Sequence, residues 1–583
     1  MGVPGFFLWL HKRYKKTNFV FNKYKLDNEE LLDKVNNIDY LLIDANCLIH
    51  PKCFEVLAEY PDYKNQDSLE NKMINAVLEY IDKLIEYANP KKGVYLAIDG
   101  VAPVAKIKQQ RYRRFKSVHD KILFDNIRLK HNKDVHKSWN NSAITPGTVF
   151  MEKLHHRILN WAKSKKTKKI IYSSCKTPAE GEHKLLQFIR DNTKNNIQNS
   201  YVMYGLDADL IFLCLSTNCN NMFLLREENQ IDEKKKSNDL NYVSLDIMRE
   251  SIIDTIENIA QNNDKLEDAR IIDLKYSNNL INDFVFICYL LGNDFLPHLP
   301  SLDIYSNGLD VILNKYVEVL ADYNYKKFII ERTKTKVNIN TKLFIEFMSF
   351  LSSEESEILK NSFLNKRKYH KSSSTDPYDV EMHRINNVYF KVKDPIQLGS
   401  DESELWKKRY YQYHFHLNDD EIESYVDKLV YEYLMGLKWV TNYYFDKCSS
   451  WSWYYPFDYP PFLEDITSFL EKNKTFSFNK FKFEIGTPLK PFNQLLLVLP
   501  PQSSYLMTRE LKKIINNPKS SISYLYPTQI QQDLIGKKKY WMAQPILPSL
   551  DLKLVKRIYL KYEKSMSEED KRRNNRLDIF EFN

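Results

Sequence analysis

The sequence is short of the features that mark secreted, zinc-binding or membrane proteins. Its seven cysteines, at 47, 53, 175, 214, 219, 288 and 448, are scattered, with no CxxC pair and no histidine cluster beside them. An odd count without a framework argues against disulfides and zinc and for reduced thiols inside a cell. The N-terminus, MGVPGFFLWLHKRYKK, is apolar over too few residues for a signal peptide. Phe6 stands where a myristoylation signal after Gly2 needs Ser or Thr. No apolar run is long enough to span a bilayer, and no internal repeat is visible. Charge of one sign is barely in excess: 85 Lys+Arg against 76 Asp+Glu leave +9 over 583 residues, which permits a polyanionic partner without requiring one. A soluble intracellular protein is expected, with the cytoplasm favoured over the nucleus and no membrane partner.

What is present is a folded composition, 43% hydrophobic and 28% charged, rich in aromatics with 39 Tyr, 32 Phe and 8 Trp. Its length suits about two to four domains. Residues 2–16 join an apolar wedge to a basic run and read as a core helix with a solvated end. Residues 40–46, YLLIDAN, read as a buried parallel strand closed by Asp44, and ligands in open α/β sheets bind at such carboxyl ends. His50, six residues on, reads by itself as a packed or capping histidine. An amphipathic helix over 68–89 leads to a second strand, GVYLAID, ending in Asp99. In the DGVAPVAKIKQQRYRRFK that follows, Pro103 suits a helix first turn, and Lys106, Gln110, Arg113 and Arg114 fall at i, i+4, i+7 and i+8, one helical face. Such a face could simply be solvated. Three cations and an amide beside a strand-end acid are also what holds a phosphate.

The densest signal lies in residues 174–209, SCKTPAEGEHKLLQFIRDNTKNNIQNSYVMYGLDADL. A third strand, 168–174, precedes it, after a helix over 145–163 with Thr145 as N-cap. Thr177 and Glu180 have the spacing of a capping box, in which Glu180 would merely close a helix start; Glu182 has no such explanation. Two acids two apart share no helix face, so they converge only at a first turn, one of them farther from any ion. A fourth strand, 200–205, is followed by Asp207 and Asp209, which can point to one side just after a strand, although Asp209 could serve only the dipole of a helix over 208–218. Residues 228–241 read as a polar loop with solvated Lys234–Lys236. The apolar helix INDFVFICYLL stops at Gly292 and leaves Asp294 at its exit, where a nearly buried carboxylate needs a cation.

Beyond about 320 the text changes. Residues 352–394 are Ser-, Lys- and Asn-rich and read as a loop or mobile insertion. Residues 402–455 regain helical period and run into the aromatic KCSSWSWYYPFDYPPF, and the last fifteen residues are charged and expected at the surface. Seven carboxylates without Cys or His are hard oxygen ligands suited to Mg²⁺ or Mn²⁺. Two such ions can drive in-line displacement at phosphorus, and aromatic clusters can stack unpaired bases, worth roughly 1–3 kcal/mol per base.

MGVPGFFLWL, LIDANCLIH, AIDGVAPVAKIKQQRYRRF, TPAEGEHK, YGLDADLIFL and LLGNDFLPHLP, in this order, resemble the successive motifs of the XRN-type 5'-3' exoribonucleases. GLKWVTNYYFDKCSSWSWYYPFDYPPF and PLKPFNQLLLVLP resemble that family's second conserved region. The resemblance covers about residues 1–320 and 400–555. It implies a PIN/FEN-like α/β nuclease core with a central, mostly parallel, twisted sheet and a mostly helical second region packed against it. Domains are then expected at 1–320, a variable linker at 321–400, the helical region at 401–565 and a charged tail at 566–583. It implies a monomer that processively removes 5'-mononucleotides from single-stranded RNA bearing a 5'-monophosphate, with two divalent ions held by Asp44, Asp99, Glu180, Glu182, Asp207, Asp209 and Asp294. It puts the 5'-phosphate on Lys106, Gln110, Arg113 and Arg114, and the leading bases against His50 and an aromatic partner, Trp451 or Trp453. Departures are Val104 where the family usually has Arg, Gly5 and Leu8 in place of basic residues, and no long C-terminal extension. A flap endonuclease would share the acids but needs a helical arch and a Gly-rich DNA-binding hairpin, which the sequence does not show. A non-catalytic RNA scaffold would fit a chain lacking an acid.

Overall fold

Strand Tyr40–Asp44 (β2) lies at the middle of the molecule, and its alternation sets the two faces of the sheet. Leu42 faces one hydrophobic core and Leu41 and Ile43 the other, all fully buried. The computed structural model describes residues 6–14, 17–135, 139–166, 168–207, 209–231, 239–264, 272–304, 308–333, 336–365, 371–537 and 539–583. Gly5, Lys15, Lys16 and Lys234–Lys236, singled out in the sequence, lie outside them.

The other strands of the main sheet are Val20–Phe21 (β1), Gly93–Ala97 (β3), Lys169–Ser173 (β4), Tyr201–Tyr204 (β5), Met222–Glu227 (β6), Leu240–Ser244 (β7) and, at the C-terminus, Phe580–Phe582. They lie in the order β1-β7-β6-β5-β2-β3-β4, with Phe580–Phe582 outside β4. The five central strands, β6 to β4, run parallel, and the edges are antiparallel. From β2 the chain builds outward through β3 and β4, then crosses to the other side of β2 to lay down β5 and β6. The point where the order reverses opens a crevice at the carboxyl ends of β2 and β5. In register, Asp44 pairs with Ala97 and Ile43 with Tyr204, so Asp44, Asp99 and Asp207 leave the sheet at one end.

Helices cover both faces. Gln66–Ala88 is capped by Asn65, whose side chain accepts from Ser68 N, and ends at Asn89 with φ +45°. Val104–Lys130 begins one residue after Pro103. The core on the Leu42 face continues through Phe284–Leu291 into the long helix Ile422–Phe445 of the second region, where Trp439 is fully buried. A third core joins Val104 and Ile107 to Phe492 and Leu496 of helix Pro491–Val498 and to Val555. The second region is thus fastened to the main sheet by continuous apolar packing. Among the described residues, no helix is long and apolar enough to cross a membrane.

Several local expectations are corrected. The helix expected from Thr145 starts at Val149 with Thr148 as N-cap, because Gly147 at φ +93° turns the chain first. The 352–394 stretch contains helices Glu355–Leu364 and Pro377–Asn386, the second opened by Asp376 and Pro377 and tied through Glu381 to Lys130 and His131. The charged C-terminus is no free tail, since Phe580 pairs with Tyr172 and Phe582 with Ile170.

Candidate active site

The acids gather at the crevice. Asp44 ends β2, and its Oδ2 accepts from the Cys47 thiol at 3.0 Å. Asp99 lies two residues beyond β3; its backbone N–H donates to Asn46 Oδ1 at 3.0 Å, and its Oδ1 accepts from Gly181 N at 2.7 Å. That last bond joins it to helix Gly181–Lys194, for which Glu180 is the N-cap residue. No capping box forms: the Thr177 hydroxyl donates instead to Leu577 O. Ala179 is held at φ +92° by paired bonds to Gly100 and Val101, a strained backbone setting of the kind that collects at functional sites. It aims Glu180 inward, where Oε1 meets Lys106 Nζ at 2.5 Å and Oε2 accepts from the Tyr443 hydroxyl at 2.7 Å.

Lys106 also meets Asp294 Oδ2 at 2.7 Å. Expected among the phosphate-binding cations, it sits between two of the acids, separate from the rest of its helical face. Asp209 opens helix Asp209–Leu215, and the Tyr444 hydroxyl lies 3.4 Å from its Oδ2. Asp44 Oδ1, Glu182 Oε2 and Asp209 Oδ1 are buried and have no hydrogen-bond partner among the described residues. Burial and the neighbouring Asp99 charge push Asp44 up to about 8. Burial and Asp294 push Asp209 to about 7. Glu182 rises well above the usual carboxylate range by burial, against the pull of Lys106 and helped by Glu180, Asp207 and Asp44. Burial alone would raise Asp294, but the Lys106 ammonium holds it well below that range. These influences connect all seven acids into one cluster short of positive charge. Among the described residues, no three such side chains stand close enough to share one ion. Three buried oxygens without partners, all on hard carboxylate donors, nonetheless fit a divalent cation.

The basic face divides. Gln110 is buried and its Oε1 accepts from Gln494 Nε2 at 3.1 Å. Arg114 is half-buried, 3.4 Å from Ser142 O, and burial with the adjacent Arg113 charge lowers it to about 9. Arg113 is exposed. His50 faces both guanidiniums; burial first, then Arg113 and Arg114, lower it to about 4, so the ring is neutral. Of the two tryptophans, Trp453 belongs to the packing: it stacks on Trp439 at 5.1 Å and lies against Gly436. The Trp451 backbone N–H donates to Ile485 O, and its backbone carbonyl accepts from Val104 N, the first residue of the helix carrying the basic face. Its ring is half-buried and stacks on no other ring among the described residues.

Tyr443, Tyr444, Cys47 and Lys184 also belong to the site, with no motif in the sequence to mark them. The buried Lys184 ammonium donates to Ile98 O at 2.6 Å and Ser174 O at 2.9 Å, tying the ends of β3 and β4. The tyrosines sit in GLKWVTNYYF, whose apolar period conceals two hydroxyls that find acids only in the folded chain.

Comparison with known proteins identifies the family. Residues 1–228 match the family described as XRN 5'-3' exonuclease N-terminus, and residues 275–387 and 383–580 match the Xrn1 helical domain. The chain therefore belongs to the XRN 5'-3' exonucleases, with an α/β core and a helical second region as its motifs implied. It is 28% identical to the 5'-3' exoribonuclease 2 of Candida albicans, across 99% of this chain and 74% of the relative. It is 28% identical to the Arabidopsis thaliana 5'-3' exoribonuclease 2, across 99% and 69%. It is also 28% identical to the human 5'-3' exoribonuclease 1, across 98% of this chain but 35% of that protein. Similarity to the solved catalytic core of Rad2 in complex with DNA substrate is weak, with a TM-score of 0.29 at 11% identity over 82% of this chain and 97% of the other.

Proposed function

We propose that the chain is a processive 5'-3' exoribonuclease that removes mononucleotides from single-stranded RNA bearing a 5'-monophosphate, with two divalent ions, Mg²⁺ or Mn²⁺, held by the acid cluster. The observation that carries this reading is the trio of buried carboxylate oxygens without partners on Asp44, Glu182 and Asp209, beside the cationic helix of Arg113 and Arg114. Asp44, Glu182 and Asp209 would hold the ions, supported by Asp99, Asp207, Asp294 and Glu180. Bound there, such ions supply an activated water and stabilise the charge on the leaving oxygen.

The chain's own residues do the rest. Arg113 and Arg114 grip the terminal phosphate with charge-assisted hydrogen bonds, backed by the buried amide of Gln110. The neutral His50 and the Trp451 ring offer faces for the leading bases. Lys106 lends positive charge to Glu180 and Asp294. Each cut leaves a new 5'-phosphate on the shortened RNA, so the product end is again a ligand for the same arginines; that is the basis for processivity. Arg113→Ala is expected to cut the rate advantage of 5'-monophosphorylated over 5'-hydroxyl RNA by about tenfold, the loss of one charged hydrogen bond. Decay of the 5'-hydroxyl RNA should change little. Parallel initial rates on the two RNAs check it; an unchanged ratio means the phosphate binds elsewhere.

A further inference from the structure

The second region enters the acid cluster through the last turn of helix Ile422–Phe445. Tyr443 and Tyr444 are consecutive, so on a helix their side chains diverge by roughly 100°, and each reaches a different acid. The Tyr443 ring is clasped between His183, at 3.7 Å and 29°, and Trp439, at 4.8 Å and 24°. Its hydroxyl donates to Glu180 Oε2 at 2.7 Å. The Tyr444 ring lies over Tyr289 at 5.0 Å and 29°, with its hydroxyl 3.4 Å from Asp209 Oδ2. The Phe295 ring, next in sequence to Asp294, packs edge-on against Tyr443 at 5.3 Å and 88°. The turn is pinned to the nuclease core: the Tyr444 carbonyl accepts from Ser216 Oγ at 2.8 Å and from Arg190, and Arg190 also donates to Asp446 O at 2.8 Å. Arg190 stands on the helix that begins beside Glu180.

These contacts sort the carboxylates. Both Glu180 oxygens are engaged, one by Lys106 and one by Tyr443, whereas Glu182 keeps a buried oxygen with no partner. Asp209 has the Tyr444 hydroxyl on one oxygen, and its other oxygen has no partner among the described residues. Resting on the reading of the cluster as a cation site, we propose that Tyr443 and Tyr444 are positioning residues. Tyr443 holds Glu180 as an outer carboxylate that acts through its neighbours, and Tyr444 turns the free oxygen of Asp209 towards the cation. The helical region is then part of the metal site as well as its support.

The test uses the whole chain with Tyr443→Phe and Tyr444→Phe, which keep the rings and remove only the hydroxyls. Mn²⁺ binding is followed by electron paramagnetic resonance, with thermal melting in EDTA alongside. Outer partners of metal ligands typically govern 10–100-fold in affinity, so each variant is expected to bind Mn²⁺ about tenfold more weakly. Half-saturating Mg²⁺ for RNA decay should rise in parallel, KM for RNA should hold steady, and the EDTA melting temperature should stay near that of the wild type. Glu182→Gln should weaken Mn²⁺ binding more than Glu180→Gln. Wild-type Mn²⁺ affinity in both Tyr→Phe variants would overturn the proposal, as would a lower melting temperature with unchanged affinity, the mark of a packing role alone. A wild-type chain that binds no Mn²⁺ would instead overturn the cation-site reading, and this inference with it.

Discussion

Asp44→Asn is expected to give a folded, inactive chain that melts at a higher temperature than the wild type when metal is withheld. The carboxylate ends a strand buried from Leu41 onward, keeps one buried oxygen without a partner among the described residues, and shares its surroundings with Asp99 and Asp207. Burial and that repulsion raise it from 3.8 to about 8. A carboxyl group raised in the folded state opposes folding as pH rises: between those values the folded chain holds a proton that the unfolded chain has released. Its cost is therefore absent at pH 3.8 and complete above 8. An isosteric amide carries no charge, can still accept from Cys47, and should flatten stability against pH across that window. Ligand loss at a metal nuclease site removes several kcal/mol of transition-state stabilisation, so RNA decay should fall by about three orders of magnitude or more. Melting in EDTA from pH 5 to 9, with decay rates in Mg²⁺, checks both halves. A variant that unfolds would make Asp44 structural, and one that still degrades RNA would remove it from the chemistry.

Gly181→Ala should have the next largest effect on activity, with little on stability. A Cβ at 181 would lie 2.7 Å from Asp44 Oδ1, 3.2 Å from Ala97 O and 3.4 Å from Asp99 Oδ1. It would therefore press into the space between two strand ends, against the oxygen that has no partner. Alanine favours a helix over glycine by about 1 kcal/mol, which offsets part of the crowding. Displacing the two acids, or the Gly181 N–H bond that fixes Asp99, by about 1 Å can cost on the order of 100-fold in rate. Decay should fall by that much while the melting temperature moves by only a few degrees; undiminished decay would mean that the space beside Asp44 is not used.

How far the fold could be read in advance differs by element. YLLIDAN, GVYLAID and KKIIYSS read as strands from short apolar runs closed by polar residues, and their order makes a common carboxyl-end site for Asp44 and Asp99 legible. Glu180 was ambiguous because Thr177-x-x-Glu180 is also a cap pattern; the structure separates the two readings by sending the Thr177 hydroxyl to Leu577. Helical spacing put Lys106 on one face with Arg113 and Arg114. Spacing does not say where a flexible ammonium ends, and the charge of Glu180 and Asp294 draws it away from that face. Gln110 is likewise held by Gln494, some 380 residues distant in sequence. Tyr443 and Tyr444 were illegible for the same reason: an aromatic at a buried helical position looks the same whether or not its hydroxyl finds a partner. The C-terminal residues were charged enough to suggest a tail, and only the open edge of β4 explains their strand.

One cation-dependent site that reads a 5'-phosphate is the central claim. Initial rates of mononucleotide release from single-stranded RNA with a 5'-monophosphate and from the same RNA with a 5'-hydroxyl, in Mg²⁺ and in EDTA, test it most directly. The predicted result is rapid stepwise release from the phosphorylated RNA, at least tenfold slower release from the hydroxyl form, matching the charged contact at stake, and none in EDTA. Equal rates on the two RNAs, or decay that persists in EDTA, would contradict it.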